Sequence, residues 1–501
     1  MVPSHSTAHS AAADRRYGAL APAALTGGLA ALGYALTAQT TVGYHDAAEL
    51  ALRAAQLGAT HGPGAPLHTL AGWVATLGVG DAAAATTWIS VAAGAGAAAV
   101  LTGLLRRAGL APGLSVATGL AFAATHMVWG NAVVTELYAL STLLVAAMLT
   151  LAWGWRATGQ AQLPRIITVC YGLALAAHFA NVVLLPAYGV LLLLARRRGA
   201  GLRHLLAHLG LLTLGVAGIA LVNVALAARV PPFGPYVPDS VGGLLLYMSG
   251  AEHAPLQPRA LADYLARCVE HAVIVTQNYA FVGVPFALAG LYRMVRADAA
   301  FALFQVLCFG GFMGYFSLFG PGDYFAMVVP AYLLVSIWLA YGADAARRRW
   351  LPGWPAEVAA LLPLCLLALS LQDQAGERRS AAAAAPALSF AARAFAELPP
   401  DSLVIARWNE FTVLRYQQAL SSVRTDLDLV VPARTVRHYV HGVVPDYMQL
   451  VASSICTRPV VTNRPTPELE AVHDLRPLAA GSEWQRVYLR TAELCTAGQE
   501  G

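Results

Sequence analysis

Apolar residues dominate the first three-quarters of the chain in runs long enough to cross a bilayer, which takes about 20 mostly apolar residues as helix. The runs fall at 18–38, 84–105, 112–130, 132–155, 166–180, 181–195, 205–228, 272–291, 300–319, 324–342 and 352–371. They predict a polytopic α-helical membrane protein with about eleven membrane helices. The pair at 166–195 is short for two crossings, and Asn181 and Pro186 fit a bent, partly re-entrant hairpin there. After residue 371 the pattern changes. Ala381 to Ala385 is a low-complexity joint. Beyond it Ser402–Ala406 and Leu427–Val431 read as strands on either side of a helical stretch, Glu410–Leu420. That alternation predicts a small α/β domain. The expected organisation is a transmembrane domain over 1–371 and a water-facing α/β domain over 372–501.

Composition supports the membrane reading. The 501 residues are 57% hydrophobic and 12% charged, against about 25% charged in an ordinary soluble domain. A soluble protein this apolar could not cover its surface. The sequence contains no lysine, so each fixed positive side chain is an arginine. With the abundance of alanine, this reads as codon bias in a GC-rich genome and carries no functional weight. Nothing points to nucleic acid as a partner.

The arginines set the orientation. Arg15 and Arg16, Arg106 and Arg107, Arg156 and Arg165, Arg196 to Arg198, Arg293 and Arg296, and Arg347 to Arg349 all fall on one side if the spans are counted as above. Basic residues concentrate on the cytoplasmic side of membrane proteins. The N-terminus is therefore expected inside, and 39–83, 229–271, Gly320–Asp323 and the C-terminal domain outside. The first apolar run exceeds the usual apolar core of a signal peptide, about 7–15 residues, and reads as an uncleaved helix. Of the 6 cysteines, Cys170, Cys308 and Cys365 lie in apolar runs and read as packing residues. Cys456 and Cys495 lie in the polar C-terminal part, where an external location would permit a disulfide.

The first external segment holds the candidate chemistry. Asp46, Glu49, Arg53 and Gln56 are spaced three, four and three apart, so a helix gathers them into one polar stripe. Leu50, Ala54 and Leu57 make the apolar stripe beside it, as in a helix lying in the membrane interface. The same spacing also fits a solvated surface helix with a Glu49–Arg53 pair. The stretch His61-Gly62-Pro63-Gly64-Ala65-Pro66 then forces a tight loop. Further polar residues fall near the same membrane face: Glu136 and Tyr138 at the start of the fourth span, His178 and Asn181 at the turn of the short hairpin, and Asp323 and Tyr324 at the start of the tenth span. Ionisable groups in or near membrane spans are expensive and mark functional sites more often than not.

In order, these motifs resemble a known family. Asp46-Ala47-Ala48-Glu49 followed by His61-Gly62-Pro63-Gly64-Ala65-Pro66-Leu67 resembles the signature Asp-Ser-Gly-Glu, then His-Pro-Pro-Gly-Tyr-Pro, of the transmembrane protein O-mannosyltransferase-like family. Trp129 through Glu136-Leu137-Tyr138, Gly172 through His178, Asp323-Tyr324-Phe325, and Leu398 through Tyr416-Gln417 and Val423-Arg424-Thr425-Asp426 resemble its later segments. The chain departs from the pattern at Ala47-Ala48, Gly62 and Ala65, and has Gly322 where the family has an arginine. The family's Gly-Asp-Asn is here Arg407-Trp408-Asn409.

The resemblance implies a GT-C glycosyltransferase fold with its catalytic carboxylate in the first external loop. It implies a polyprenyl-phosphate-linked sugar as donor, with mannose the first candidate, and a hydroxyl acceptor on protein or glycan. Asp46 is then the general base of an inverting transfer, and Glu49 orients that base or the acceptor. Arg53, His61, Gly64, Glu136, Tyr138, His178, Asn181, Asp323 and Tyr324 are the candidate substrate-binding residues. A divalent cation, magnesium or manganese, on Asp46 and Glu49 stays open; no metal-ligand spacing calls for one. The implied location is the bacterial inner membrane with the site facing the periplasm. Two rival readings are a lipid or glycan flippase and an inactive relative that binds lipid or glycan. The first would usually show internal repeats and polar sites near the midplane.

Overall fold

The structure, a computed structural model, describes residues 5–160, 162–233, 237–250, 260–318, 326–383, 385–431, 436–438, 442–444 and 447–490. Among these, six helices are long and apolar enough to cross a membrane: Gly18–Ala35, Ala82–Arg107, Tyr138–Thr158, Phe179–Arg197, Leu202–Arg229 and Ala299–Phe316. The chain is a polytopic helical membrane protein. Several other predicted spans form shorter or interrupted helices. Residues 112–130 divide at Thr125 into Pro112–Ala124 and His126–Ala132. Residues 166–195 form the helix Leu163–Ala177, a 3-10 turn at Phe179–Leu184 and the helix Leu185–Arg197, with Pro186 in the first turn of the last.

The predicted single span at 272–291 is corrected. Leu261–Asn278 and Gly283–Ala297 are separate helices bent by 103°. Ala280 and Phe281, both at positive φ (49° and 58°), make the corner, a backbone turn that a hydropathy pattern does not register. The second of these helices crosses Ala331–Trp350 closely at two glycines. A Cβ at Gly290 would stand 1.8 Å from the Trp338 carbonyl oxygen, and one at Gly342 would stand 1.8 Å from that of Phe286. Small residues at such crossings let helix backbones approach where lipid supplies no hydrophobic drive.

Several buried polar groups are paired across the bundle. Tyr34 donates to the Ala123 carbonyl at 2.8 Å, Trp338 donates to Gln305 at 2.9 Å, and the hydroxyls of Tyr279 and Ser336 meet at 2.7 Å. Each such bond removes the cost of an unsatisfied polar group in a low-dielectric interior.

The two ends of the bundle differ. Asp81 caps the helix Ala82–Arg107 by accepting from the Ala84 amide at 2.7 Å, and the helix ends on Arg106 and Arg107, the charge order its dipole favours. At the arginine end Arg156 pairs with Asp298. Arg198 donates to the carbonyls of Trp155 and Arg156 at 3.1 and 3.0 Å. Arg293, Arg347 and Arg348 surround the buried Asp344. At the opposite end Gln39 donates its amide to the Val133 carbonyl at 2.8 Å. Thr87 donates to the Gln39 carbonyl at 2.9 Å, and Ser90 meets the backbone of Glu136 at 3.2 Å. The loop at 133–136 thus sits with the segment that begins at residue 39.

The C-terminal part contains the strands β1 (Leu403–Ile405), β2 (Asp428–Val430), β3 (Val436–His438), β4 (Gly442–Val444), β5 (Val460–Thr462), β6 (His473–Pro477) and β7 (Gln485–Leu489). Five of them form a sheet in the order β2-β1-β5-β7-β6, and β3 pairs with β4. β1 runs parallel to β2 and β5, while β7 is antiparallel to β5 and β6. The strand–helix–strand reading of 402–431 corresponds to β1, the helix Trp408–Ser421 and β2. Burial follows the period-two alternation of strands. Leu403, Ile405, Val430 and Val460 point into one core. Val404, Leu429 and Val461 point into another, which also contains Phe411, Leu414, Trp484 and, from the first loop, Ala48, Ala51 and Leu52. The helix Leu361–Ala383 runs unbroken through residue 372.

Candidate active site

The polar stripe of the first loop is a helix, Asp46–Gln56, with Asp46 in its first turn. The helix is amphipathic, yet both its faces are covered: Ala47 to Ala54 are all buried, including Glu49 and Arg53. The Gly-Pro loop folds back over its start. The His61 amide donates to Glu49 Oε1 at 2.8 Å, and His61 Nδ1 lies in close hydrogen-bond contact with Glu49 Oε2. The other ring nitrogen, Nε2, faces Asp46 Oδ2 at 3.8 Å. A buried carboxylate next to one ring nitrogen fixes how the imidazole is turned.

Asp46 is held from a distant part of the chain. The Trp408 indole N–H donates to Asp46 Oδ1 at 2.8 Å. One turn later Thr412 donates its hydroxyl to the His45 carbonyl at 3.0 Å. His45 itself has φ 58° and ψ −137°, a conformation a non-glycine residue avoids unless its surroundings impose it. The Trp408 ring stands edge-on to His61 with centroids 5.3 Å apart and packs against Phe233 and Phe411. Tyr44 adds a second tie, donating to the Pro386 carbonyl at 3.2 Å.

The side-chain exposures separate the two carboxylates. Glu49 is 0% exposed and Asp46 is 22% exposed, with His61 between them at 14%. Asp46 therefore presents an oxygen to the outside of the cluster, while Glu49 is occupied by His61. Among the described residues, Asp46, Glu49 and His61 form the one group suited to a metal ion, with one ligand atom from each lying within 4.8 Å of the others.

The remaining candidates fall into separate places. Arg53 donates to Gln56 at 3.0 Å and lays its guanidinium over the Phe233 ring, 3.7 Å from the centroid. Among the described residues no ion pair joins Arg53 to Glu49, whose oxygens are on His61. Gly64 donates its amide to the His61 carbonyl at 3.0 Å. Its φ of 81° and the absence of a side chain let the loop press against Tyr247 and Asn223, where a Cβ would come within 2.6 and 2.7 Å. Tyr247 anchors the same loop by donating to the Thr60 carbonyl at 2.8 Å.

Tyr138, His178 and Asn181 form a second group. Tyr138 meets His178 edge-on at 5.5 Å, and Asn181 is hydrogen-bonded to Ser141 and the Ala174 carbonyl. Glu136 stands just before Tyr138, its Oε2 accepting from the Leu137 amide at 3.3 Å. Asp323 and Tyr324 lie outside the described residues. Arg407, the residue in the place of the family's first glycine, has an exposed side chain and donates its amide to Asn463 at 3.0 Å.

Sequence reasoning missed Trp408, Thr412, Phe233 and Tyr247. Trp408 did stand at a departure from the family pattern, but a departure gives no hint of which carboxylate an indole will reach.

Comparisons with known proteins bear on this arrangement. Residues 46–200 match the family described as the N-terminal domain of protein O-mannosyl-transferase TMEM260. The segment begins at Asp46 and contains every motif singled out through Asn181; Asp323-Tyr324-Phe325 and the C-terminal stretches lie outside it. No curated protein sequence matches the chain. Two crystal structures of ArnT from Cupriavidus metallidurans, in the apo state and bound to undecaprenyl phosphate, each superpose with TM-score 0.58 at 13% identity. Each covers 94% of this chain and 98% of the ArnT chain. At that identity the likeness is one of fold, and it extends through the C-terminal sheet as well as the helical bundle.

Proposed function

We propose that this chain, which shares the fold of ArnT and matches a protein O-mannosyl-transferase N-terminal domain at residues 46–200, is a membrane glycosyltransferase of the GT-C type that moves a hexose from a polyprenyl-phosphate carrier to a hydroxyl group with inversion. The single observation that carries this reading is the Asp46–Glu49–His61 cluster, in which only Asp46 offers an oxygen to an incoming group. The acceptor hydroxyl attacks the anomeric carbon and its proton passes to Asp46. The bond from that carbon to the phosphate oxygen breaks, and its electron pair leaves with the lipid phosphate. A phosphate leaving group calls for electrostatic stabilisation rather than a strong acid. His61 is the side chain placed for it: Glu49 holds the ring through Nδ1, and Nε2 faces the reaction beside Asp46.

A lipid donor is supported by the fold shared with a protein crystallised with undecaprenyl phosphate. The matched family's name makes mannose the first sugar to test and a protein hydroxyl the first acceptor. Glu136, Tyr138, His178 and Asn181 stay candidate contacts to the donor, as do Asp323 and Tyr324. The arginine end lies in the cytoplasm and the Asp46 end in the periplasm of a bacterial cell. The disulfide at Cys456 supports that side for the C-terminal part; Cys495, its expected partner, lies outside the described residues.

The test uses the full chain, purified, with polyprenyl-phosphate mannose and a serine- and threonine-containing peptide. Asp46→Asn keeps the size and one acceptor oxygen but cannot take a proton. General-base catalysis contributes about 10²–10⁴-fold, so transfer should fall at least a hundred-fold. Near-full activity in Asp46→Asn overturns the assignment. EDTA is added in parallel: loss of transfer, restored by magnesium or manganese, would place a cation on the three-residue cluster, whereas the hydrogen bonds between Glu49 and His61 support a metal-free site.

A further inference from the structure

The group that holds Asp46 comes from outside the first loop and outside the matched segment. We propose that Trp408 is a positioning residue for Asp46, so that the active site is completed by the C-terminal part of the chain; this rests on the reading of Asp46 as the base. An indole N–H is a donor with no acceptor capacity, so its bond to Asp46 Oδ1 can only engage the carboxylate's lone pairs. It fixes one oxygen and turns the other, Oδ2, toward His61 and the acceptor side.

The donor is itself immobilised. His61, Phe233 and Phe411 contact its ring from different directions. The Arg407 amide is held by Asn463, and the Arg407 carbonyl accepts from the Phe411 amide at 2.8 Å. Thr412, on the same helix as Trp408, holds the carbonyl immediately before Asp46. Two hydrogen bonds from one helical turn therefore set both the backbone and the side chain at the start of the Asp46 helix. A partly exposed aspartate without such a donor rotates among rotamers and spends less time in the reactive one.

The test replaces Trp408 in the full-length protein with benzothienylalanine, which keeps the ring shape and puts sulfur where the N–H was. Trp408→Phe is made alongside. Transfer of mannose from its polyprenyl phosphate is followed as kcat and KM, with thermal unfolding as a control. Loss of a hydrogen bond to a charged group should lower kcat about tenfold or more. KM for the donor should stay within about twofold and the unfolding temperature of the isostere should not move. In an Asp46→Asn background the isostere should cause no further loss, because the group it positions has already been disabled. A kcat within about twofold of wild type for the isostere, with Asp46→Asn inactive, overturns the proposal while leaving the base assignment intact. An equal further loss in both backgrounds would make Trp408 a packing residue and also overturn it. An active Asp46→Asn protein removes the base, and this role for Trp408 with it.

Discussion

At the scale of single residues, Glu49 and His68 make separate predictions. Glu49 accepts both the amide and the ring nitrogen of His61. Glutamine can accept the amide but turns an NH2 toward Nδ1, which forces the other tautomer. Glu49→Gln should therefore lower kcat by about tenfold, less than Asp46→Asn, as read in the same transfer assay. His68, a few residues further on, is fully buried, and neither ring nitrogen has a hydrogen-bond partner among the described residues. Burial lowers its pKa from 6.5 to about 4. The unfolded chain then binds a proton that the folded protein refuses, so this contribution is fully present above pH 6.5, declines as pH falls, and is exhausted near pH 4. Its upper size is roughly 3 kcal/mol. His68→Leu should lose less thermal stability than wild type between neutral pH and pH 5, measured by unfolding in detergent. Equal losses would place the acid sensitivity elsewhere. The sequence made Asp46, Glu49 and His61 legible because helix periodicity and a short loop keep them local. It could not show that Glu49 serves His61, since a buried hydrogen bond leaves no trace in spacing.

At the scale of elements, hydropathy gave the long helices and blurred the broken ones. Gly18–Ala35, Ala82–Arg107 and Leu202–Arg229 carry their length in composition alone. The corner at Ala280 and Phe281 does not, because positive φ at residues other than glycine is imposed by the fold and not announced by residue type. The glycine crossing of Gly283–Ala297 with Ala331–Trp350 was likewise invisible, since 45 glycines occur in the chain and only a few meet a backbone. That crossing is testable. Gly290→Ala places a methyl group against the Trp338 carbonyl, and overpacking of this kind costs about 1–3 kcal/mol or more. Gly310→Ala, in the helix Ala299–Phe316 with open space around it, should be neutral or slightly stabilising, because alanine favours helix over glycine. Thermal unfolding of the two variants should differ clearly; a tolerated Gly290→Ala would mean that the helices pack further apart than described. In the C-terminal part the strand–helix–strand reading came within a residue or two of β1, Trp408–Ser421 and β2, because alternating burial on strands and a long helical run are both local signals.

At the scale of the whole molecule, Arg156, Arg198, Arg293, Arg347 and Arg348 lie at one end and the Asp46 site at the other, and a division near residue 371 into a helical part and a sheet-bearing part is proposed. Impermeant thiol labelling checks the orientation. With Cys268 and Cys365 replaced by serine, Glu468→Cys should label in intact spheroplasts, and Arg349→Cys only after permeabilisation. The reverse pattern would invert the topology and put the site in the cytoplasm. What hydropathy could not convey is that the two parts share a core, in which Ala48, Ala51 and Leu52 meet Phe411 and Leu414. Trp408 lies 362 residues beyond the aspartate it holds. A ribosome makes the first loop long before the helix Trp408–Ser421. On the proposed reading of Trp408, a nascent chain that has inserted its first loop still lacks the donor that positions Asp46. The site is then finished only when the helix Trp408–Ser421 docks on that loop, so the order of synthesis along the chain becomes an order of assembly.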